Sequence, residues 1–307
     1  MKQQHEGRLA SALRWASHEL GVDMRIVQLR SLREDRGPWL LQVERAGKEF
    51  TTVLRVGGAH DRQGFATEAA ALLLAEEYRV PAPRLIAADL VGAEEGIVTL
   101  LSTRISGTSV IPLVPTPERL HGFGALVGAL HTIPLTPRAD LPLRTRPIAL
   151  DDFAAQRRAT DAIPLFARAE RHLAELPAPV GETVFVHGDL WQGNTLWSAA
   201  TCKGLIDWDS AGAGQPGVDL GSIRFDAAMM FGPGAATTVL DGWRAAAGRE
   251  PQALARWDIV AALSTPPDIG AWLPAIHGQG RADLDQATLQ ARRAAFLRDA
   301  LGRSQRE

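Results

Sequence analysis

The sequence predicts an α+β fold in two parts. A small antiparallel sheet with one inserted helix comes first, and a larger, mostly helical part follows. Three observations carry this. Residues 1–104 hold short runs of apolar and β-branched residues separated by polar or Gly/Pro turns, with one long Ala- and Leu-rich helical pattern among them. Residues 105–307 carry their apolar residues mainly at helical spacing. Inside that second part, one stretch from Thr183 to Trp208 breaks the helical pattern with β-branched and aromatic runs that end in Asp and Asn.

The elements follow in order. Leu9 to Leu20 reads as a helix with Leu9, Leu13 and Leu20 among its apolar positions, and Gly21 closes it. Ile26 to Leu29 and Trp39 to Val43 read as strands around a polar turn, Arg33 to Pro38. Lys48 to Val56 is a third strand, where Arg55 stands among Val53, Leu54 and Val56, and Gly57-Gly58 ends it. Phe65 to Tyr78 is a helix containing Glu68, and Pro81 and Pro83 mark the loop beyond it. Leu85 to Leu90 and Ile97 to Leu101 complete the sheet. Pro117 to His131 is a helix with Leu120, Phe123, Val127 and Leu130 on one face, and Gly122, Gly124 and Gly128 suit close helix packing. Ile133 to Pro147 is a Pro-rich loop. Asp151-Asp152 caps a helix from Phe153, and Phe166 to Leu176 continues the helical pattern. Val239 to Ala247, Leu254 to Leu263, Ile269 to Ile276 and Leu289 to Leu301 are the closing helices, with Arg292, Arg293 and Arg298 exposed on the last. Ser264 to Asp268 and His277 to Gly280 interrupt them.

The stretch between them carries chemistry. Thr183 to Val186 reads as a buried strand that His187-Gly188-Asp189 leaves in a tight loop. Asn194 lies five residues after Asp189. Thr195 to Trp197 resumes an extended run, Ser198 to Lys203 reads as a turn, and Gly204 to Trp208 as the return strand. Such a hairpin brings Asp207 back towards Asp189 and Asn194. Magnesium takes hard oxygen ligands and keeps several waters, so one or two protein oxygens plus phosphates suffice. Asn194 and Asp207 can supply those oxygens, and Asp189 is placed to orient and accept the proton of an attacking hydroxyl. Phosphoryl transfer needs little more than positioning and charge neutralisation. Asp209 reads equally as an outer carboxylate or a turn residue. His187 reads as a hydrogen-bonding residue that orients the loop, and Trp191, Trp197 and Trp208 as packing.

His187-Gly188-Asp189, four residues, Asn194, then Ile206-Asp207-Trp208 and Asp219-Leu220-Gly221 resemble the aminoglycoside phosphotransferase family and its choline-kinase-like relatives. The resemblance implies a two-lobed protein-kinase-like fold, with a nucleotide-binding lobe at 1–104 and a catalytic and acceptor-binding lobe at 105–307. It implies that Asp189 is the catalytic base, that Asn194 and Asp207 hold Mg2+, and that Asp219 buttresses the loop. Arg55 takes the place of the usual lysine, paired with Glu68 and facing the nucleotide phosphates, with a rigid fork and a different reach. Ser102 to Gly107 resembles the hinge, and Leu130-His131 matches the family's L-H pair. The C-terminal helices are expected to form the acceptor pocket, with Asp268, Trp272 and His277 as candidates. One departure stands out: Ser31 to Pro38 offers only Gly37 where a kinase has a Gly-rich loop. The implied activity is transfer of the γ-phosphoryl of ATP or GTP to a hydroxyl of an aminoglycoside-like antibiotic or related hydroxylated metabolite, in an antibiotic-resistance setting.

Composition excludes other classes. A formal net charge of -2 over 307 residues argues against a nucleic-acid partner. No apolar run is long enough to span a membrane, and the polar start Met1 to Arg8 does not read as a signal peptide. Cys202 is the only cysteine, which rules out an internal disulfide and points to a reducing, cytoplasmic compartment. The expected partners are a nucleoside triphosphate and a small hydroxylated acceptor, bound by a monomer or homodimer. From Gly221 onward acidic and basic residues nearly balance, so no acid-rich strip for a polycationic acceptor is visible. Two rival functions remain: a kinase-like nucleotide-binding module without catalysis, and a dinucleotide-dependent oxidoreductase. The second rests on Gly212-Ala213-Gly214-Gln215-Pro216-Gly217, a literal G-x-G-x-x-G. Asp207 and Asp209 precede it and would repel a pyrophosphate, so the stretch reads as a flexible loop.

Overall fold

The chain folds as two units, Met1–Ser106 and Gly107–Glu307. The computed structural model describes residues 2–33, 37–92, 96–160 and 163–306. The division falls two residues beyond the expected 104/105 boundary.

In the first unit, α1 (Lys2–Leu20) begins earlier than its apolar spacing predicts and ends at Gly21, whose φ of 99° suits glycine. The strands are β1 (Met24–Ser31), β2 (Trp39–Arg45) and β3 (Lys48–Gly57), then β4 (Leu85–Asp89) and β5 (Val98–Thr103) after the helix α2 (Arg62–Glu77). They form an antiparallel sheet in the order β1-β2-β3-β5-β4. Ala12, Ala16 and Leu20 of α1 pack against Trp39, Leu41, Val43, Leu54 and Leu101, a core supplied by small residues on the helix and large ones on the strands. The α2 helix packs against β4 and β5. Of the turn expected at Arg33 to Pro38, residues 34–36 lie outside the described residues, and with them three of the eight residues, Ser31 to Pro38, read as lacking a Gly-rich loop.

The second unit opens with α3 (Pro117–Leu130), β6 (Leu143–Arg144), α4 (Phe153–Arg158) and α5 (Pro164–Glu175). The strands β7 (Val184–Val186), β8 (Thr195–Ser198), β9 (Thr201–Leu205) and β10 (Gly212–Gly214) follow, then α6 (Gly217–Phe231), α7 (Pro233–Ala247), α8 (Leu254–Leu263), α9 (Leu273–Gly278) and α10 (Gln286–Ser304). The β8–β9 hairpin forms as its alternation predicts, but its return strand starts at Thr201, so Cys202 lies in a strand rather than a turn.

The G-x-G-x-x-G stretch is not a flexible loop. Gly212 to Gly214 form a buried strand, antiparallel to β7 and parallel to β6. A Cβ at Gly212 would lie 2.2 Å from the Pro142 carbonyl oxygen, and one at Gly217 would lie 2.0 Å from the Trp257 ring. These glycines serve close packing, which removes the basis of the dinucleotide reading. Glycine plays the same part between α3 and α7. A Cβ at Gly124 would meet the Val239 carbonyl oxygen at 1.9 Å, and one at Gly242 the His121 carbonyl oxygen at 2.0 Å. Gly122, grouped with Gly124 by sequence, faces open space instead.

The core of this unit joins Phe225 and Met229 of α6 to Ile259 of α8 and Leu289 and Leu297 of α10. Arg293, expected on the exposed side of α10, is only 4% exposed. It donates to the Pro266 and Pro267 carbonyls at 2.7 and 2.9 Å and lies 4.7 Å over the Phe166 ring, so it fastens the 264–268 interruption to α10. Burial pushes its pKa down to about 10. Asp258, fully buried, receives Arg224 through two bonds of 3.0 and 2.9 Å and Arg303 at 2.6 Å. No helix among the described residues is long and apolar enough to cross a membrane.

Candidate active site

The loop after β7 is laid out by α6. Asp219, Ser222 and Asp226 are spaced by three and four residues, so they share one face of that helix. The two carboxylate oxygens of Asp219 accept the His187 and Gly188 N–H groups, each at 2.8 Å. Ser222 donates to the Leu190 carbonyl at 2.9 Å, and Asp226 accepts the Gln192 N–H at 3.1 Å. Three polar groups on successive turns thus hold the loop at three successive points. Behind Asp219, His131 Nδ1 accepts the Trp243 indole N–H at 2.9 Å. That bond puts the imidazole proton on Nε2, which donates to Asp219 at 3.2 Å. Gly188 has φ of 81°, and a Cβ there would stand 2.1 Å from the Ser210 carbonyl oxygen, so only glycine makes this turn.

His187 ties the loop to the end of β9. Its Nε2 donates to the Ile206 carbonyl at 3.0 Å, and its Nδ1 accepts the Asp189 N–H at 3.4 Å. The ring packs 4.4 Å from Trp208, which stacks on Phe185 at 5.3 Å. Burial pushes the His187 pKa down, which favours the neutral imidazole that its two bonds require. Asp207 follows in the left-handed region at φ of 69°, a conformation Asp adopts more readily than most residues.

Asp189 is half-buried, and its pKa is pushed up to about 7. Burial is the largest cause, followed by the negative charges of Asp207 and Asp209, while a hydrogen bond from Asn194 acts the other way. Asn194 Nδ2 donates to the Asp189 carbonyl oxygen at 2.9 Å and to its carboxylate at 3.2 Å. With its nitrogen engaged there, Asn194 presents Oδ1 as the end that can meet a cation. Repelling carboxylates beside a carboxamide oxygen are hard donors whose mutual repulsion a divalent cation relieves. The residues present therefore fit magnesium.

A cavity of about 280 Å³ opens from Asp189. Leu190 and Trp191 of the loop border it, with Ser222 and Asp226 of α6, and Met229 and Trp272 form part of its apolar wall. Ile148 holds the loop on this side, its N–H donating to the Gly188 carbonyl at 2.8 Å.

The sequence model of the phosphotransferase enzyme family matches residues 26–258, a span that holds the loop, its supporting helix and the hairpin. The chain belongs to this family. Over 59 residues, 18% of this chain and 21% of the other, it is 42% identical to viomycin phosphotransferase of Streptomyces vinaceus. That match therefore spans about a fifth of the curated relative's length. Macrolide 2'-phosphotransferase from Brachybacterium faecium has the same fold, with a TM-score of 0.61 at 18% identity over 94% of this chain and 97% of that one. A putative aminoglycoside phosphotransferase from Ralstonia eutropha jmp134 gives 0.62 at 16% identity over 96% and 98%. An aminoglycoside phosphotransferase APH(4)-Ia mutant in a ternary complex with AMP-PNP and hygromycin B gives 0.57 at 16% identity over 93% and 97%. The fold is thus the two-lobed, kinase-like α+β architecture of these phosphotransferases.

Within this phosphotransferase-family chain, the residues expected from sequence divide into three groups. His187, Asp189, Asn194 and Asp219 are joined by hydrogen bonds, and the charges of Asp207 and Asp209 act on Asp189. In the first unit Arg55 and Glu68 form an ion pair, with Glu68 only 6% exposed and the Arg55 guanidinium 5.4 Å from the Phe65 ring. Of the acceptor candidates only Trp272 lines the cavity. Asp268 is an exposed cap that accepts the Gly270 N–H at 2.8 Å, and His277 donates to the Leu284 carbonyl at 2.8 Å; neither borders it. Trp191, read as packing, does border it. Sequence reasoning missed Ser222 and Asp226, although two polar residues at helical spacing from Asp219 in a largely apolar helix were the signal.

Proposed function

We propose that this protein transfers the γ-phosphoryl group of ATP or GTP to a hydroxyl of a small molecule, with hydroxylated antibiotics as the leading acceptor class. The observation that carries this is the Asp189 carboxylate, raised to about 7 beside Asp207 and Asp209, fixed by Asn194 and opening onto a cavity. A carboxylate with a pKa near neutrality is matched to accept the proton of an attacking hydroxyl. The Asn194 amide keeps it aimed, and the bonds from Asp219, Ser222 and Asp226 hold the loop that carries it. Asn194 Oδ1 and Asp207 would hold magnesium, which supplies charge neutralisation at the phosphates when bound. Arg55, kept in place by Glu68, would add positive charge for the triphosphate. The names of the similar proteins, which act on viomycin, macrolides or aminoglycosides, support the acceptor class, and AMP-PNP in one of them supports the donor. The lone cysteine supports a cytoplasmic setting.

The test is magnesium-dependent nucleotide consumption against a panel of hydroxylated antibiotics. Asp189→Ala is expected to lower kcat by about 10² to 10⁴, the usual contribution of a positioned acid or base. Consumption within about threefold of wild type would sink the assignment of Asp189. Tight nucleotide binding with no turnover of any acceptor would support a non-catalytic module instead.

A further inference from the structure

The cavity in the second unit constrains the acceptor itself. Its wall is apolar: Phe225, Met229 and Met230 of α6, Trp272 and Ile276 around α9, and Leu289 of α10. Three carboxylates touch it, from Asp151, Asp189 and Asp226. One of them already faces a cation. The Arg146 guanidinium lies beside Asp151, donating to its backbone carbonyl and to that of Ile148, the latter at 2.8 Å. Asp189 is the group the reaction itself needs. The charges of Arg119 and Arg281 act on Asp226, but their guanidinium groups bond to Gln192 and Asp283, so Asp226 is the one carboxylate left to meet an acceptor's charge.

Charged groups enter an apolar wall at high cost unless each is paired. An acceptor with several ammonium groups would have to leave all but one or two of them desolvated and unmatched. An acceptor with an apolar body gains from the same wall. Size narrows the class further. About 280 Å³ lies just under the usual range for small-molecule pockets, so one ring or one branch of a larger acceptor enters.

Building on the phosphotransfer reading, we infer that this cavity takes the hydroxyl-bearing end of a largely apolar acceptor carrying at most one positive charge, and that Asp226 is the polar anchor for its lone amine. Asp226 borders the cavity with one oxygen on the Gln192 N–H, on the same helix face as Asp219 and Ser222, which hold Asp189's loop. An amine bound there stands near the reacting hydroxyl.

Calorimetric titration of the full-length protein tests this with four probes: erythromycin, chloramphenicol, hygromycin B and viomycin. The first has an apolar body and one amine, the second is neutral, and the last two are polycationic. Erythromycin is expected to bind at least about tenfold more tightly than either polycation, the ratio that one matched charge in place of several unmatched ones gives. Asp226→Asn keeps an oxygen for the Gln192 N–H, so the loop contact survives. That variant is expected to weaken erythromycin about tenfold while changing chloramphenicol by less than about twofold. Equal weakening of both probes would overturn the anchor role. Binding of hygromycin B or viomycin as tight as that of erythromycin, or binding of none of the four, would overturn the acceptor class. Nucleotide turnover with the same probes keeps the two readings apart. Turnover of hygromycin B alone would retain phosphotransfer and overturn the apolar acceptor. Tight erythromycin binding without turnover of any probe would do the reverse.

Discussion

Asp219 is the residue on which the reactive loop depends most, and Asp219→Asn measures how much. The carboxylate is 0% exposed and receives three donors: the His187 and Gly188 N–H groups at 2.8 Å and His131 Nε2 at 3.2 Å. Asparagine keeps the shape but offers one carbonyl oxygen and turns an NH2 group towards a donor. One buried N–H then loses its acceptor, at about 1–3 kcal/mol. The two remaining bonds fall from the charged class to the neutral class, about 1 kcal/mol each. Removing a buried charge returns part of this, so the net loss should be roughly 2–4 kcal/mol. A domain stable by about 5–15 kcal/mol survives that loss, so the variant should fold. Urea unfolding should show a lower midpoint with an unchanged slope, because the same surface is exposed. The loop's grip on Asp189 loosens as well, so kcat should fall more than KM rises. A stability within about 1 kcal/mol of wild type would refute the claim that these three bonds organise the loop.

Three further outcomes are expected. Burial, only partly offset by the Gln192 N–H, raises the Asp226 pKa to about 7, whereas the unfolded carboxyl titrates near 3.8. The folded chain therefore holds a proton that the unfolded chain has lost between those values, and this stability, full below pH 3.8, is lost as pH rises through 7. The advantage of wild type over Asp226→Asn should shrink by up to about 4 kcal/mol across that window, and a slope of opposite sign in urea midpoints would exclude it. Gly124→Ala puts a Cβ 1.9 Å from the Val239 carbonyl oxygen and should cost about 1–3 kcal/mol or more, whereas Gly122→Ala, facing open space, should be neutral or stabilise by up to about 1 kcal/mol; thermal unfolding compares them. Arg293→Met should lower stability by about 2–4 kcal/mol in chemical denaturation, since the Pro266 and Pro267 carbonyls lose their donor; no change would show that water replaces it.

What could be read from the sequence was local. The spacing of Asp189, Asn194 and Asp207 is set by one loop and one hairpin, so five- and thirteen-residue separations report it directly. Most strands and helices followed from periodicity for the same reason, with ends displaced by up to seven residues, as at α1, whereas β6 and β10 fell in stretches read as loops. What escaped depends on chain segments far away in sequence. Gly212 to Gly214 read as a loop because glycine usually marks one, and only pairing with β7 and with β6, the latter about seventy residues earlier, makes them a strand. Arg293 read as exposed because arginine usually is, and only the bare carbonyls at 266 and 267 draw it in. Asp268 and His277 occupied the right region but turn to their own backbone, a contact that residue type does not reveal.

The α6 helix has a double duty. One strip of it, Asp219, Ser222 and Asp226, sets the loop, and the neighbouring strip, Phe225, Met229 and Met230, walls the cavity. A helix is stiff along its axis and about its own rotation, so the two strips cannot be adjusted separately. Changing what the cavity accepts by altering Phe225 or Met229 shifts the ruler against which the reactive loop is measured. Trp272, Ala275 and Ile276 line the same space from elements that make none of these loop contacts. Acceptor preference can drift there, under natural selection or by design, while the chemistry stays in register.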